Sequence, residues 1–221
     1  MRVLVIGAAR GIGREFVHQY LADGAQVTAT ARRAEAVAEL EAQGASAFAL
    51  DVADAASASG LAWRVDGAGF DVAILAAGVY GPRSAGLETP SAAEFDAVMH
   101  TNVLGAMRVI PQLADALAKG ARLAVLSSQM GSIGSRSASA GWLYRASKAA
   151  LNSVLKDASI ALAGRAVCVA LHPGWVRTDM GGEGADLTAA QSVADLRALL
   201  AGLTPADNGR FLNHDGTPLA W

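Results

Sequence analysis

Short apolar, β-branched runs recur along the chain, each followed by a longer Ala/Leu-rich stretch, and no other feature constrains the fold as much. "RVLVI" (2–6) precedes a helical stretch from about Ile12 to Ala22, and "QVTATA" (26–31) precedes "AEAVAELEAQG". "SAFAL" (46–50) precedes an Ala/Ser segment. "DVAIL" (71–75) leads through a loop to a segment opening "SAAEF", where Ser91 and Glu94 have capping-box spacing. "RLAVLSS" (122–128), a helix from about Trp142 to Ala163, "AVCVAL" (166–171) and a short "GRFLN" (209–213) complete the series. Strands that are nearly all apolar and alternate with helices imply a parallel sheet covered on both faces. Right-handed crossovers then give an α/β fold, a Rossmann-type doubly wound parallel β-sheet with helices on both faces. No repeat, linker or charge block marks a boundary, so residues 1–221 are expected to form a single domain. Two long loops, about 76–90 and 173–188, follow strand ends, where such sheets bind ligands.

Bulk properties exclude several classes. With 52% hydrophobic and 17% charged residues, the chain is globular and not disordered. No apolar run approaches the ~18 residues of a spanning helix. The opening "MRVLVIGAAR" reads as a first strand ended by Gly7, not as a signal peptide. A net charge of −2 gives no reason to expect nucleic acid or an anionic membrane as partner. The single cysteine, Cys168, cannot form an internal disulfide and reads as a buried strand thiol. His18, His100, His172 and His214 lack ligand spacing, so no metal site is expected. There is no GxSxG elbow. A soluble cytoplasmic protein is the resulting expectation.

Gly7-Ala8-Ala9-Arg10-Gly11-Ile12-Gly13 joins the first strand to the first helix. Glycines there let the backbone turn sharply and approach a pyrophosphate, while the helix N-terminus supplies free N–H groups. The spacing is GxxxGxG, not GxGxxG. At the end of the second strand, an NAD site usually carries a carboxylate for the ribose hydroxyls. Here stands Ala31, followed by Arg32 and Arg33, with Arg10 in the glycine turn. Guanidinium groups in place of a carboxylate suit a 2′-phosphate, which points to NADP(H) in preference to NAD(H).

Tyr144 and Lys148, four residues apart, share one helix face behind a Gly/Ser-rich segment. A free phenol, with a pKa of about 10, is a poor acid–base catalyst at neutral pH. A neighbouring ammonium is expected to favour phenolate and lower that pKa. Such a phenol can give a proton to a carbonyl oxygen as hydride arrives, or take one in reverse. Ser128 could hydrogen-bond the same oxygen.

Together these residues resemble the short-chain dehydrogenase/reductase family along essentially the whole chain. "GAARGIG" is similar to the family's cofactor turn. "LDV" corresponds to the segment placing Asp51 and Val52 against the adenine. "AAG", with Ala77 and Gly78, stands where the family has "NAG", so Ala76 replaces an asparagine that supports the central strand. "TNVLG" supplies Asn102, which the family uses to hold a water in the proton path. Ser128, Tyr144 and Lys148 correspond to the remaining catalytic positions. In "HPGWVRTDM", the resemblance implies that Pro173 and Gly174 shape the loop, Val176 meets the nicotinamide amide and Thr178 lies near the phosphates or carboxamide. "SSQMGSI", "YRASKAALN" and "NGRFLNHDGTPLAW" resemble the C-factor and Sniffer-like carbonyl reductase branch.

The resemblance implies oxidoreduction of a small-molecule carbonyl or alcohol. The alternative is a dinucleotide-binding regulatory or signalling protein without significant turnover. The family also suggests a homodimer through the helices at about 102–117 and 142–163, which carry small residues such as Ala146, Ala149, Ala150 and Ser153. Tyr80, Trp142, Trp175, Met130 and Met180 are weaker candidates for a substrate pocket. The Gly/Ser-rich segment is expected to form a mobile pocket wall.

Overall fold

The computed structural model describes residues 1–221. Its strands are β1 (Arg2–Ile6), β2 (Gln26–Ala31), β3 (Ser46–Ala49), β4 (Phe70–Leu75), β5 (Leu117–Leu126), β6 (Ala166–His172) and β7 (Arg210–Asn213). They form one sheet in the order β3-β2-β1-β4-β5-β6-β7, with every neighbouring pair parallel. The helices are α1 (Gly11–Ala22), α2 (Ala34–Ala42), α3 (Ala55–Ser59), α4 (Leu61–Arg64), α5 (Ala92–Met99), α6 (Gly105–Leu113), α7 (Trp142–Ala161) and α8 (Ala189–Gly202). No helix is long and apolar enough to cross a membrane.

Side-chain alternation divides the core. Val3 and Val5 of β1 pack with Phe16, Leu40 and Leu196 on one face, beneath α1, α2 and α8. Leu4 and Ile6 point the other way, into a layer with Val109, Leu113, Leu151 and Leu155 of α6 and α7. This double covering is why the central strands read as continuous apolar runs. Cys168 is buried in that second layer.

The expected strands and helices are present, with five differences. β5 starts at Leu117, not at 122: Phe70 pairs with Leu117, then the register slips so that Val72 pairs with Arg122, around Gly120 at φ +76°. Ser127 and Ser128 fall beyond the strand, where the Ser128 side chain caps the turn Gln129–Gly131. The helix expected over 102–117 is a π turn, His100–Leu104, running into α6. The Ala/Ser segment breaks into α3 and α4, and α8, which the strand pattern alone does not announce, starts on a Thr188/Gln191 capping box.

After β7 the chain doubles back. Asn213 N–H donates to Thr217 O, Leu212 bridges Pro218 antiparallel, and Leu219 N–H donates to Phe211 O. The Trp221 ring stacks on Phe211 at 5.6 Å, and its carbonyl accepts from Ile133 and Gly134.

Two glycines set how β1 meets α1 and β4. Gly7 has φ +90°, and a Cβ there would sit 2.6 Å from the Ala77 nitrogen. A Cβ on Gly13 would sit 2.2 Å from the Gly7 carbonyl oxygen. Both obstacles are backbone and cannot rotate away. Overpacking of this kind costs about 1–3 kcal/mol or more. Each kcal/mol lowers Tm by about 2–4 °C at this chain length. Gly13→Ala should therefore melt at least ~2 °C below the parent in calorimetry, whereas Gly60→Ala, with φ −90° and nothing within 4 Å of its Cβ, should leave Tm unchanged.

Candidate active site

The strand order reverses between β1 and β4, and a cleft of about 440 Å³ opens beyond their carboxyl ends. Gly7, Arg10, Gly11, Ile12 and Gly13 line one side, and Arg32 follows from the end of β2. Asp51 and Val52 come from the loop after β3, Ala77 and Gly78 from the loop after β4, Pro173 and Thr178 from the loop after β6. Tyr144 and Lys148 close the inner end from α7. Of the catalytic and cofactor candidates, Asn102, Ser128, Gly174 and Val176 stand outside this lining, and of the pocket candidates only Met180 lines it. Gly174, at φ +81°, packs against Leu187 and His214, and buried Val176 bridges Leu187.

Thr30 fixes the glycine turn: its hydroxyl accepts from Gly7 N–H at 3.1 Å and its carbonyl accepts from Ala8 N–H at 2.7 Å. Arg10 precedes α1 without capping it through its side chain, and α1 has no acidic residue in its first turn. The first N–H groups of α1 are thus unclaimed by side chains and face the cleft, the arrangement that receives phosphate. Arg10 pairs with Asp179 across the cleft mouth at 2.6 Å, a contact between two mostly exposed groups and so a weak one. Arg32 is exposed and has no ion partner. An elongated, anionic ligand with a flat end, such as a dinucleotide, fits this cradle: glycine backbone at its narrow point, free N–H groups beside it and guanidinium groups at the rim.

The buried stripe of α7 carries the polar end of the cleft. Leu143, Tyr144, Ser147, Lys148, Leu151 and Asn152 all turn inward. Gly131 lets the preceding turn lie on this helix, since a Cβ there would be 2.9 Å from the Lys148 backbone. The Lys148 ammonium, 4% exposed, donates to the Leu126 carbonyl at 2.7 Å and sits 5.6 Å from the centre of the Tyr144 ring. Burial pushes its pKa down to about 8. Burial pushes the Tyr144 phenol up to about 12, with the Ser128 hydroxyl working against that rise and Tyr80 adding to it. The expected lowering of the phenol pKa by Lys148 is therefore absent. The ammonium is turned to a strand-end carbonyl, and loss of water around the phenol outweighs the remaining attraction. The Tyr144 hydroxyl meets the Met180 sulfur at 3.9 Å.

Asn102 sits in the π turn, 2% exposed. Its Oδ1 accepts from Val79 N–H at 2.8 Å, and its Nδ2 donates to Val79 O at 2.8 Å and to Ser147 Oγ at 2.9 Å. The side chain thereby staples the loop after β4 to α7. At the start of the Gly/Ser-rich segment, Ile133 and Gly134 N–H donate to the Trp221 carbonyl, and Ser132 Oγ accepts from Ser135 N–H.

Thr30, Ser147 and the Ser127–Asn152 pair escaped the sequence reading. Ser127 Oγ donates to Asn152 Oδ1 at 2.5 Å, and Ser127 lines the cleft. The available signal was polar residues inside otherwise apolar stripes: Thr30 near the end of β2, and Ser147 and Asn152 on the buried face of α7.

Lys148 sets the expected pH dependence of stability. Its folded pKa, about 8, lies below the unfolded value of about 10.5. Between these values the unfolded chain holds the proton and the folded chain does not, so stability rises with pH across about 8–10.5. Melting curves should show the parent gaining stability from pH 8 towards 10 relative to Lys148→Met. Parallel curves would refute this account of the buried amine.

The short chain dehydrogenase family matches residues 1–187. C-signal of Myxococcus xanthus is 42% identical over 123 residues, covering 54% of this chain and 74% of that protein. The carbonyl reductase Sniffer of Drosophila melanogaster superposes with a TM-score of 0.88 at 30% identity, over 100% of this chain and 99% of that one. A carbonyl reductase from Pseudomonas aeruginosa PAO1, solved in complex with NADP, gives 0.88 at 32% identity with the same coverage. Fold, cleft position and sequence agree, and the chain belongs to the short-chain dehydrogenase/reductase family of oxidoreductases, in the branch of C-signal and the Sniffer-like carbonyl reductases.

Proposed function

We propose that the protein is an NADP(H)-dependent oxidoreductase that interconverts a small-molecule carbonyl and its alcohol, with Tyr144 as the general acid of the reductive direction. The observation that carries this is the pairing, on one buried helix face at the closed end of the cleft, of a neutral phenol with an ammonium that has no carboxylate partner. NADP(H) in preference to NAD(H) is supported by Ala31 in place of a carboxylate, by Arg10 and unpaired Arg32 at the rim, and by the NADP in the Pseudomonas reductase.

In this reading the N–H groups of Gly11, Ile12 and Gly13 hold the pyrophosphate, and Arg10, released from exposed Asp179, joins Arg32 at the 2′-phosphate. Asp51 and Val52 meet the adenine, and Ala77, Gly78, Pro173, Gly174, Val176 and Thr178 shape the nicotinamide end. Bound there, the cofactor supplies hydride. Tyr144, neutral well past physiological pH, carries the proton needed at the substrate oxygen. The substrate oxygen takes the place now held by the Met180 sulfur, a weak acceptor that yields to a carbonyl. The Ser128 hydroxyl offers that oxygen a second hydrogen bond. As the proton leaves, the Lys148 charge stabilises the developing phenolate, in a dry site where it counts for more than in water. Asn102 acts from behind, keeping Val79 and Ser147 in register with this group.

Tyr144→Phe should lower kcat at least ~100-fold, since general acids contribute about 10²–10⁴-fold, and leave NADPH affinity within a few-fold. Near-parental turnover in this variant would end the proposal. In reduction, kcat/KM should fall as pH rises through about 8, where Lys148 loses its charge, while Tyr144 remains protonated. NADPH should bind more tightly than NADH by ~1.5–3 kcal/mol, the range for charge-assisted hydrogen bonds. Calorimetry giving equal affinities would remove the 2′-phosphate assignment. A parent that binds NADPH yet reduces nothing in a broad carbonyl panel would favour the signalling reading, which the likeness to C-signal keeps in view.

A further inference from the structure

Tyr80 belongs to the long loop after β4 and lies far from Tyr144 in sequence, yet the two rings stack with centroids 4.6 Å apart and planes 21° from parallel. Arg83 also lies over the Tyr80 ring, its guanidinium carbon 5.1 Å from the ring centre. Arg83 is fixed in turn by donating to the Met180 carbonyl at 2.9 Å. The tip of Tyr80 passes over the start of α7: Gly141 has φ +68°, and a Cβ on it would lie 2.4 Å from the Tyr80 hydroxyl oxygen. Gly141 N–H donates to Ser84 O at 3.0 Å, binding the same loop to the same helix end. Tyr80 is therefore held through its ring by Tyr144 and Arg83 and lies against Gly141 at its tip.

Tyr144 needs such a partner. It is the third residue of α7, in a first turn whose N-cap, Gly141, makes no side-chain cap. Its hydroxyl meets the Met180 thioether, a weak acceptor, with the Ser128 hydroxyl nearby, and neither fixes the plane of the ring. The ring must nevertheless be held to a fraction of an ångström for proton transfer. We propose that Tyr80 is a positioning residue for Tyr144: held in place by Arg83, its stacked ring fixes the direction of the Tyr144 hydroxyl and keeps water from that face. The Tyr80 hydroxyl makes no hydrogen bond within the protein, so the ring and not the hydroxyl performs this role. Arg83 supports the Tyr80 ring and Gly141 leaves room for its tip. The inference rests on the reading of Tyr144 as the general acid.

The test compares Tyr80→Ala with Tyr80→Phe in the full chain. Tyr80→Ala should lower kcat by about 10–100-fold, the effect of a misdirected reacting group, while KM and NADPH affinity stay within a few-fold. Tyr80→Phe should retain parental kcat within about 2-fold, because the stack survives. A second readout needs no turnover. The chain has three tyrosines, so both variants retain only Tyr20 and Tyr144. With one face open to water, Tyr144 should ionise nearer its ordinary value of about 10, and Tyr80→Ala should show more phenolate absorbance than Tyr80→Phe at pH about 10.5. Identical absorbance in the two variants would overturn the proposal even if the parent reduces nothing. So would a Tyr80→Ala enzyme with parental kcat. Equal losses in both variants would also overturn it by assigning the role to the hydroxyl. Loss of turnover in Tyr80→Ala beside near-parental turnover in Tyr144→Phe would instead defeat the general-acid reading.

Discussion

The backbones at the ends of β1 and β4 approach so closely that no side chain fits between Gly7 and Ala77. Ala76 and Ala77 both donate to Ile6 O, at 2.9 and 3.0 Å, so the two chains stay paired one step beyond the strands before they part. From this point α1 leaves to one face of the sheet while the loop after β4 turns towards the other. The cleft exists because of that divergence, and its floor is main chain. Widening it by one methyl group would move α1, the loop that Asn102 staples, and through Ser147 the helix bearing Tyr144 and Lys148.

On α7 one periodicity serves two purposes. Positions 151, 155 and 158 carry the apolar residues that anchor the helix on the sheet. The same stripe, continued two turns towards the N-terminus, delivers Lys148, Ser147 and Tyr144 to the cleft. Burial that the apolar half requires is also imposed on the ionisable half. It keeps the phenol protonated and makes the amine easier to deprotonate, opposite to what charge proximity alone predicts for the phenol.

Much of this was legible in the sequence because the responsible patterns are local. β1, β4 and β6 are apolar except for Arg2, Asp71 and His172; Ser91 and Glu94 announce α5, and the glycine turn and the Tyr144/Lys148 spacing stand in plain view. What stayed hidden depends on where side chains end. Four-residue spacing brings Tyr144 and Lys148 together at their Cβ atoms, but only the fold shows that the ammonium is drawn to Leu126 O. "LAKGA" at 117–121 reads as a connection, since Lys119 and Gly120 interrupt the apolar run, and it joins β5 only through a register slip against β4. The π turn has no residue signature of its own, and Asn102 gains meaning from Val79, which lies in another loop.

The doubling back of the chain after β7 bears on behaviour in solution. An open parallel sheet ends in two strands with unpaired backbone groups, which can recruit strands from other molecules. On the β7 side, Leu219 N–H is already bonded to Phe211 O, Asn213 N–H to Thr217 O, and Pro218, which has no N–H to offer, lies against Leu212. That border is sealed by the molecule's own tail. The other border, β3, is only four residues long and begins with an exposed serine. Self-association by sheet extension thus has one short template, β3, instead of two.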